Sequence, residues 1–269
     1  RPSRRPSGVA QGQRGGVMEQ ERLPIENGNW GAASLSAVHA VLESAYQVLV
    51  KAFDKHPDAP INVAWWNQSP RVFYDLRPYQ IRISARDTYW CQYVYQFSHE
   101  LCHVMTNFDR HREHKHKWFE ESLCELASLF VLHQVADGWK ERPPPCVFEA
   151  EAFAPNFRTY AEEIEQGHRQ PVEGDFQEWL TDNLERLEEE PCIRELNRTL
   201  AIALLDRFIE DPSLWRDCGQ LNCWDANDNE TFESYLVAWA EQLKMQGKNS
   251  RVPYLVEGLF LSSQGTMRN

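Results

Sequence analysis

His99-Glu100-Leu101-Cys102-His103 is the stretch on which the reading of this chain turns. Around it Val94, Phe97, Leu101, Val104 and Met105 recur at helical intervals, the period of a helix with one buried face. On such a helix residues four apart stand one turn above each other, so His99 and His103 share a face away from the apolar stripe. Two imidazoles so placed can bind one metal ion. Glu100 lies about 100° around the helix from His99, where its carboxylate can hold a metal-bound water and take its proton. The plain alternative is a solvated helix that carries two histidines. Composition would produce the three fixed residues roughly 0.03 times in such a chain, so coincidence is a poor account of the pattern.

A catalytic zinc takes three protein ligands and keeps a fourth position open. Downstream, Trp118-Phe119-Glu120-Glu121-Ser122-Leu123-Cys124-Glu125 offers the third. Glu121 and Glu125 are four apart on a second helix, off the stripe of Phe119, Leu123, Leu126 and Phe130. One carboxylate of such a pair can bind the metal while the other accepts the free N–H of a bound histidine, fixing its tautomer and orientation. The adjacent Glu120 is an alternative ligand. The segment between the helices holds His111, His114 and His116 among Arg110, Arg112, Lys115 and Lys117. It reads as a solvated basic turn over the site, and a third histidine ligand from it is a further alternative.

The histidine-glutamate motif followed by Trp118-Phe119-Glu120-Glu121-Ser122 and Glu125 resembles the gluzincin group of zincin metallopeptidases, over roughly residues 60–137. Glu120 stands where those enzymes usually have asparagine. The resemblance implies one zinc ion per chain with His99, His103 and Glu121 as ligands, Glu100 as general base and Glu125 behind a metal-bound histidine. It also implies a strand edge ahead of the motif helix that pairs with extended peptide, for which Gln80–Ser84 is in place. A helical C-terminal part closing the cleft would be typical. The metzincin pattern fails, since it needs glycine at 106 and histidine at 109 and the chain has Thr106 and Asp109. A SprT-like protein would use one of the loop histidines. Tyr160, His168, Tyr235 and Tyr254 are oxyanion donors by type, and the sequence does not choose among them.

The rest of the chain supplies an α+β frame. An amphipathic helix is expected over 33–53, then strands at Ile61–Trp66, Val72–Tyr74 and Gln80–Ser84. The motif helix spans 89–106, with Asp87 or Thr88 as its cap, and the second helix spans 118–136 and ends near Gly138. Pro143-Pro144-Pro145 is the clearest break. Helical spacing follows near 157–168, 175–189, 192–210 and 230–245, the last capped by Asp228 or Asn229 and burying Phe232, Tyr235, Leu236, Trp239 and Leu243. The expected organisation is a disordered leader over 1–24, a zincin-like catalytic domain over 25–142 with a small mixed sheet, and a helical C-terminal subdomain over 143–269.

Bulk properties narrow the function classes. A formal net charge of −12 argues against nucleic acid, which needs a basic surface. No run approaches the ~18 apolar residues of a membrane span. The Arg/Gly/Ser/Pro/Gln-rich start lacks the apolar centre of a secretory signal, with Met18 a candidate start of translation. The 7 cysteines form no CxxC pair, which suits a reducing, cytoplasmic setting. The expectation is a cytoplasmic zinc-dependent hydrolase, foremost a peptidase acting on a peptide or protein. The alternative is a non-proteolytic zincin-fold regulatory or peptide-binding protein.

Overall fold

The computed structural model describes residues 22–110, 114–168, 176–224 and 231–260. Helix α1 (Leu35–Phe53) starts where the Ser34 hydroxyl accepts from the Ala37 N–H at 3.2 Å, and stops at Asp54, a left-handed residue with φ 55°. Both are the expected chemistry of helix ends. Strands β1 (Ile61–Trp65), β2 (Arg71–Phe73) and β3 (Tyr79–Ile83) follow, then helices α2 (Trp90–Met105) and α3 (Lys117–Glu141). The remainder is helical: α4 (Ala150–His168), α5 (Phe176–Glu189), α6 (Arg194–Glu210), a 3₁₀ turn (Pro212–Leu214) leading into α7 (Trp215–Cys218), α8 (Phe232–Met245) and α9 (Arg251–Phe260). The protein is thus a mixed α and β fold, mostly helical. Among the described residues no helix is long and apolar enough to cross a membrane.

The sheet has the order β1-β3-β2 and is mixed: β1 runs parallel to β3, and β2 antiparallel to it. In β3 Tyr79, Ile81 and Ile83 are buried and alternate with half-buried Gln80 and Arg82, as a sheet wet on one face requires. The strand expected to offer its edge, Gln80–Ser84, is instead the central one. The edge near the motif helix belongs to β2. The outer edge of β1 is covered as well, since its Ile61 and Val63 N–H groups donate to Arg22 and Pro24 carbonyls at 2.9 Å and Ile25 bridges to Val63. Leu23 is fully buried, so residues 22–24 of the expected leader pack on the sheet. Residues 1–21 lie outside the described ones.

Helices α2 and α3 are antiparallel. Thr106 meets Glu120, Cys102 meets the Leu123 carbonyl, and the Ser128 hydroxyl donates to the Tyr95 carbonyl at 3.0 Å. Neither Asp87 nor Thr88 caps α2, whose N-cap is Tyr89 with no side-chain bond. The Asp87 carboxylate turns back to accept the Ala32 N–H at 2.8 Å. Gly31 makes that turn possible: its φ is +68°, and a Cβ there would lie 2.1 Å from Asp87 Oδ1. A side chain there would be strained by the positive φ and would push the Asp87 carboxylate off the Ala32 N–H.

α3 runs through Gly138 to Glu141, three residues beyond the expected end. Gly costs a helix about 1 kcal/mol. Burying Trp139, which packs on Phe157 and donates to the Ser44 hydroxyl at 3.0 Å, more than offsets it at about 2–3 kcal/mol. α4 begins at Ala150 rather than near 157. Pro155 lies inside it and forfeits one backbone hydrogen bond, while Ala150, Ala154, Phe157 and Ala161 still bury one face. α9 was not expected. Its first N–H groups, from Arg251 and Val252, donate to Asp217 at 2.8 and 3.0 Å, a cap supplied from thirty-odd residues away. For α8 the observed cap is Thr231, which accepts from the Ser234 N–H; Asp228 and Asn229 lie outside the described residues. The stripe Phe232, Tyr235, Leu236, Trp239 and Leu243 is buried as read. One apolar core joins residues on both sides of position 143, from Leu23 to Val256.

Candidate metal centre

The helical period does place His99 and His103 side by side, their ring centroids 5.2 Å apart. Because α3 runs antiparallel, its second turn faces them. His99 Nε2 lies 3.3 Å from Glu121 Oε2, and His103 Nε2 lies 3.5 Å from Glu121 Oε1. Metal–ligand bonds of about 2.0–2.1 Å in a tetrahedron set neighbouring donors about 3.4 Å apart. Each Nε2 thus lies at about that spacing from a different oxygen of the one carboxylate, and two imidazoles with a carboxylate are a donor set that zinc accepts.

The other ring nitrogens face other carboxylates. His103 Nδ1 is 3.3 Å from Glu120 Oε1, and His99 Nδ1 is 3.8 Å from Glu125 Oε1. Both imidazoles are thus turned with Nε2 inward and Nδ1 outward. Glu120 is fully buried and also accepts the Thr106 hydroxyl at 2.6 Å and the Asn222 amide at 2.8 Å. Glu125 accepts from the Tyr95 hydroxyl and from Arg198 Nε at 3.1 Å. Tyr95 precedes His99 by one turn and was within reach of sequence reasoning. Arg198 and Asn222, 73 and 102 residues from their partners, were not.

A second donor set shares the histidines: ligand atoms of His99, His103 and Cys124 lie within 4.8 Å of one another. Burial pushes the Cys124 thiol well above its ordinary pKa, with a hydrogen bond to Cys102 adding to this. Glu121 differs from Cys124 in two respects. The Nε2 atoms face its oxygens at ligand spacing, and it borders the cleft whereas Cys124 does not.

That cleft has a volume of about 420 Å³. Its floor is the face of α2 with His99, Glu100 and His103, one wall is β2 and the residues before it, and another is the start of α6. The part of the chain beyond 143 therefore supplies a wall of the cleft through Cys192, Arg194 and Asn197. Glu100 is buried. Burial raises its pKa against the opposing charges of His99 and His103, and the Val72 N–H on edge strand β2 donates to it. Tyr74 also borders the cleft, and burial, reinforced by the surrounding glutamates, holds its hydroxyl protonated.

Electrostatics bind the cluster together even without an ion. Burial pulls both imidazoles down, but Glu121, with Glu125 beside His99 and Glu120 beside His103, outweighs it and raises each to about 9. Burial works to raise Glu121, and the two histidines with the Cys192 thiol overcome it and lower the carboxyl to about 2.

The remaining sequence-based candidates lie elsewhere. His114 is buried and stacks on Tyr235, while His116 is buried against Phe232 and Tyr235, with Nδ1 3.7 Å from Glu188. Neither borders the cleft, and the expected solvated turn is at these two positions part of an aromatic core. His111 lies outside the described residues. Tyr160, His168, Tyr235 and Tyr254 do not line the cleft either. Compared with protein families, curated proteins and solved structures, the chain matches none.

Proposed function

We propose that this protein is a zinc-dependent hydrolase, a peptidase of the gluzincin kind, working in the cytoplasm on peptide or protein substrates. The observation that carries the reading is that His99 Nε2 and His103 Nε2 face the two oxygens of Glu121 at 3.3 and 3.5 Å in an open cleft that Glu100 also borders. His99, His103 and Glu121 would hold the ion, and Glu125 and Glu120 would fix the two imidazoles through Nδ1. Bound zinc would polarise a water and the substrate carbonyl. Glu100 takes the proton of the attacking water at its carboxylate and delivers it to the leaving nitrogen. Its burial suits that exchange, because a carboxylate with a raised pKa binds and releases a proton nearer neutrality. The Tyr74 side chain borders the cleft, and its hydroxyl would support the developing oxyanion. All 7 cysteines are free, in keeping with a reducing compartment.

The test is metal analysis with a broad peptide library. About one zinc per chain, and cleavage abolished in a Glu100→Gln variant that keeps its metal, is the expected result. Zinc bound without any cleavage by the wild type would favour a non-proteolytic peptide-binding role. No zinc would remove both readings.

A further inference from the structure

Positive charge collects on the rim of the cleft although the chain as a whole is strongly acidic. Arg71, on edge strand β2, is exposed and borders the cleft. Among the described residues it forms no ion pair. Arg194 borders the cleft from the start of α6. Its Nε is 3.4 Å from Glu125 Oε1, but its side chain is 61% exposed. Glu125 is already satisfied by Arg198, whose side chain is only 15% exposed, and by the Tyr95 hydroxyl. Arg194 is therefore surplus to that carboxylate.

The same wall carries a third positive feature. α6 has 17 residues and begins at Arg194, so the positive end of its dipole lies on this wall, and Glu195 in its first turn is engaged with His168. The acids that border the cleft do not cancel these charges. Glu121 and Glu100 lie on the histidine floor, where a divalent ion would offset them, and Glu125 is matched by Arg198.

We propose that Arg71 and Arg194 are specificity-determining residues that receive a carboxylate of the substrate, so that the cleft prefers peptides with negative charge close to the scissile bond. This rests on the hydrolase reading above. Guanidinium groups are suited to the task, since they meet a carboxylate with paired N–H donors and stay charged at any working pH. The carboxylate can belong to an acidic side chain or to a free C-terminus.

Four peptides of one sequence separate the sources: aspartate or asparagine at one position, each with a free or amidated C-terminus. Each is measured for kcat/KM on the zinc-loaded protein and for binding to zinc-loaded Glu100→Gln by fluorescence anisotropy. We expect a charged peptide to exceed the asparagine amide about tenfold in both readouts, and the better charged peptide identifies the source. Arg71→Gln and Arg194→Gln should each cut that ratio to about threefold or less, and Arg71→Glu should turn the preference toward a lysine peptide. Equal binding and turnover of charged and neutral peptides would overturn the proposal, as would an unchanged ratio in both variants. Turnover without the preference sinks this inference alone. A charge preference in binding with no turnover of any peptide sustains it and sinks the hydrolase reading.

Discussion

Glu120 Oε1 lies 3.3 Å from His103 Nδ1, on the side of the ring turned away from the Glu121 carboxylate. Glu120 is placed to position His103, and the Thr106 hydroxyl donates to the same oxygen while the Asn222 amide donates to Oε2. Burial raises its pKa while His103 and the two hydrogen-bond donors work against that. Three donors converge on two oxygens, so an amide in its place must turn an NH₂ toward another donor. Glu120→Gln should therefore cost about 1–3 kcal/mol in urea unfolding of the metal-free protein. It should also weaken zinc about 10- to 100-fold in chelator competition. A variant that loses stability but binds zinc as the wild type does would show that Glu120 only packs the fold.

The two donor sets that share the histidines separate by substitution. Glu121→Gln should lose zinc, and Cys124→Ser should keep it, because the Nε2 atoms face Glu121 at 3.3 and 3.5 Å. Zinc at about 1,000 times its dissociation constant stabilises a fold by about 4 kcal/mol. For a chain of this size that raises the melting temperature by roughly 10 °C. The shift should survive in Cys124→Ser and vanish in Glu121→Gln, His99→Ala and His103→Ala. The reverse pattern would assign the metal to the thiol.

Metal uptake should be linked to protons. In the metal-free protein His99 and His103 sit at about 9, above the ordinary 6.5, because Glu121 and its neighbours outweigh burial. Raised values mean that these protons stabilise the metal-free fold fully below about pH 6.5, and that the contribution fades as the pH climbs through 9. Glu121 has the opposite sign: lowered from 4.5 to about 2 against its burial, it stabilises above pH 4.5 and loses that contribution as the pH falls through 2. Zinc requires neutral imidazoles. Binding at pH 7.5 should expel about two protons, and affinity should rise with pH until about 9. Calorimetry in buffers of different ionisation enthalpy counts the protons, and a count near zero would mean that the imidazoles are already neutral.

Local periodicity made much of this legible. The four-residue spacings of His99 with His103 and of Glu121 with Glu125 fix faces of single helices, and the structure brings those faces together. What escaped the sequence depends on long-range partners. Pairing of β2 with β3 made β2 the free edge rather than Gln80–Ser84. Burial of Trp139 carried α3 past Gly138, and Asp217 capped a helix that local signals did not mark. His114 and His116 look solvated among basic neighbours, yet the aromatic side chains of α8 cover them. Arg194, Arg198 and Asn222 reach the site from chain segments about 70 to 100 residues away, with no local spacing to announce them.

Arg198 allows stability and metal positioning to be measured apart. Its Nε lies 3.1 Å from Glu125 Oε2, Nη2 donates to the Tyr95 hydroxyl at 3.0 Å, and Glu125 itself is only 3% exposed. Arg198→Met leaves a buried carboxylate with Tyr95, the more distant His99 and the largely exposed Arg194. Removing one partner of a buried pair costs about 3–5 kcal/mol, and the remaining donors place the loss near the lower end. Adding Glu125→Gln removes the stranded charge and keeps an acceptor for the Tyr95 hydroxyl. The double variant should then recover most of the stability, giving a coupling of about 2–3 kcal/mol in a double-mutant cycle. Zinc affinity should not recover with it, because His99 Nδ1 has lost the carboxylate 3.8 Å away that the proposed site uses to orient the ring. A double variant that binds zinc as tightly as the wild type would remove Glu125 from any positioning role and leave its link with Arg198 purely structural.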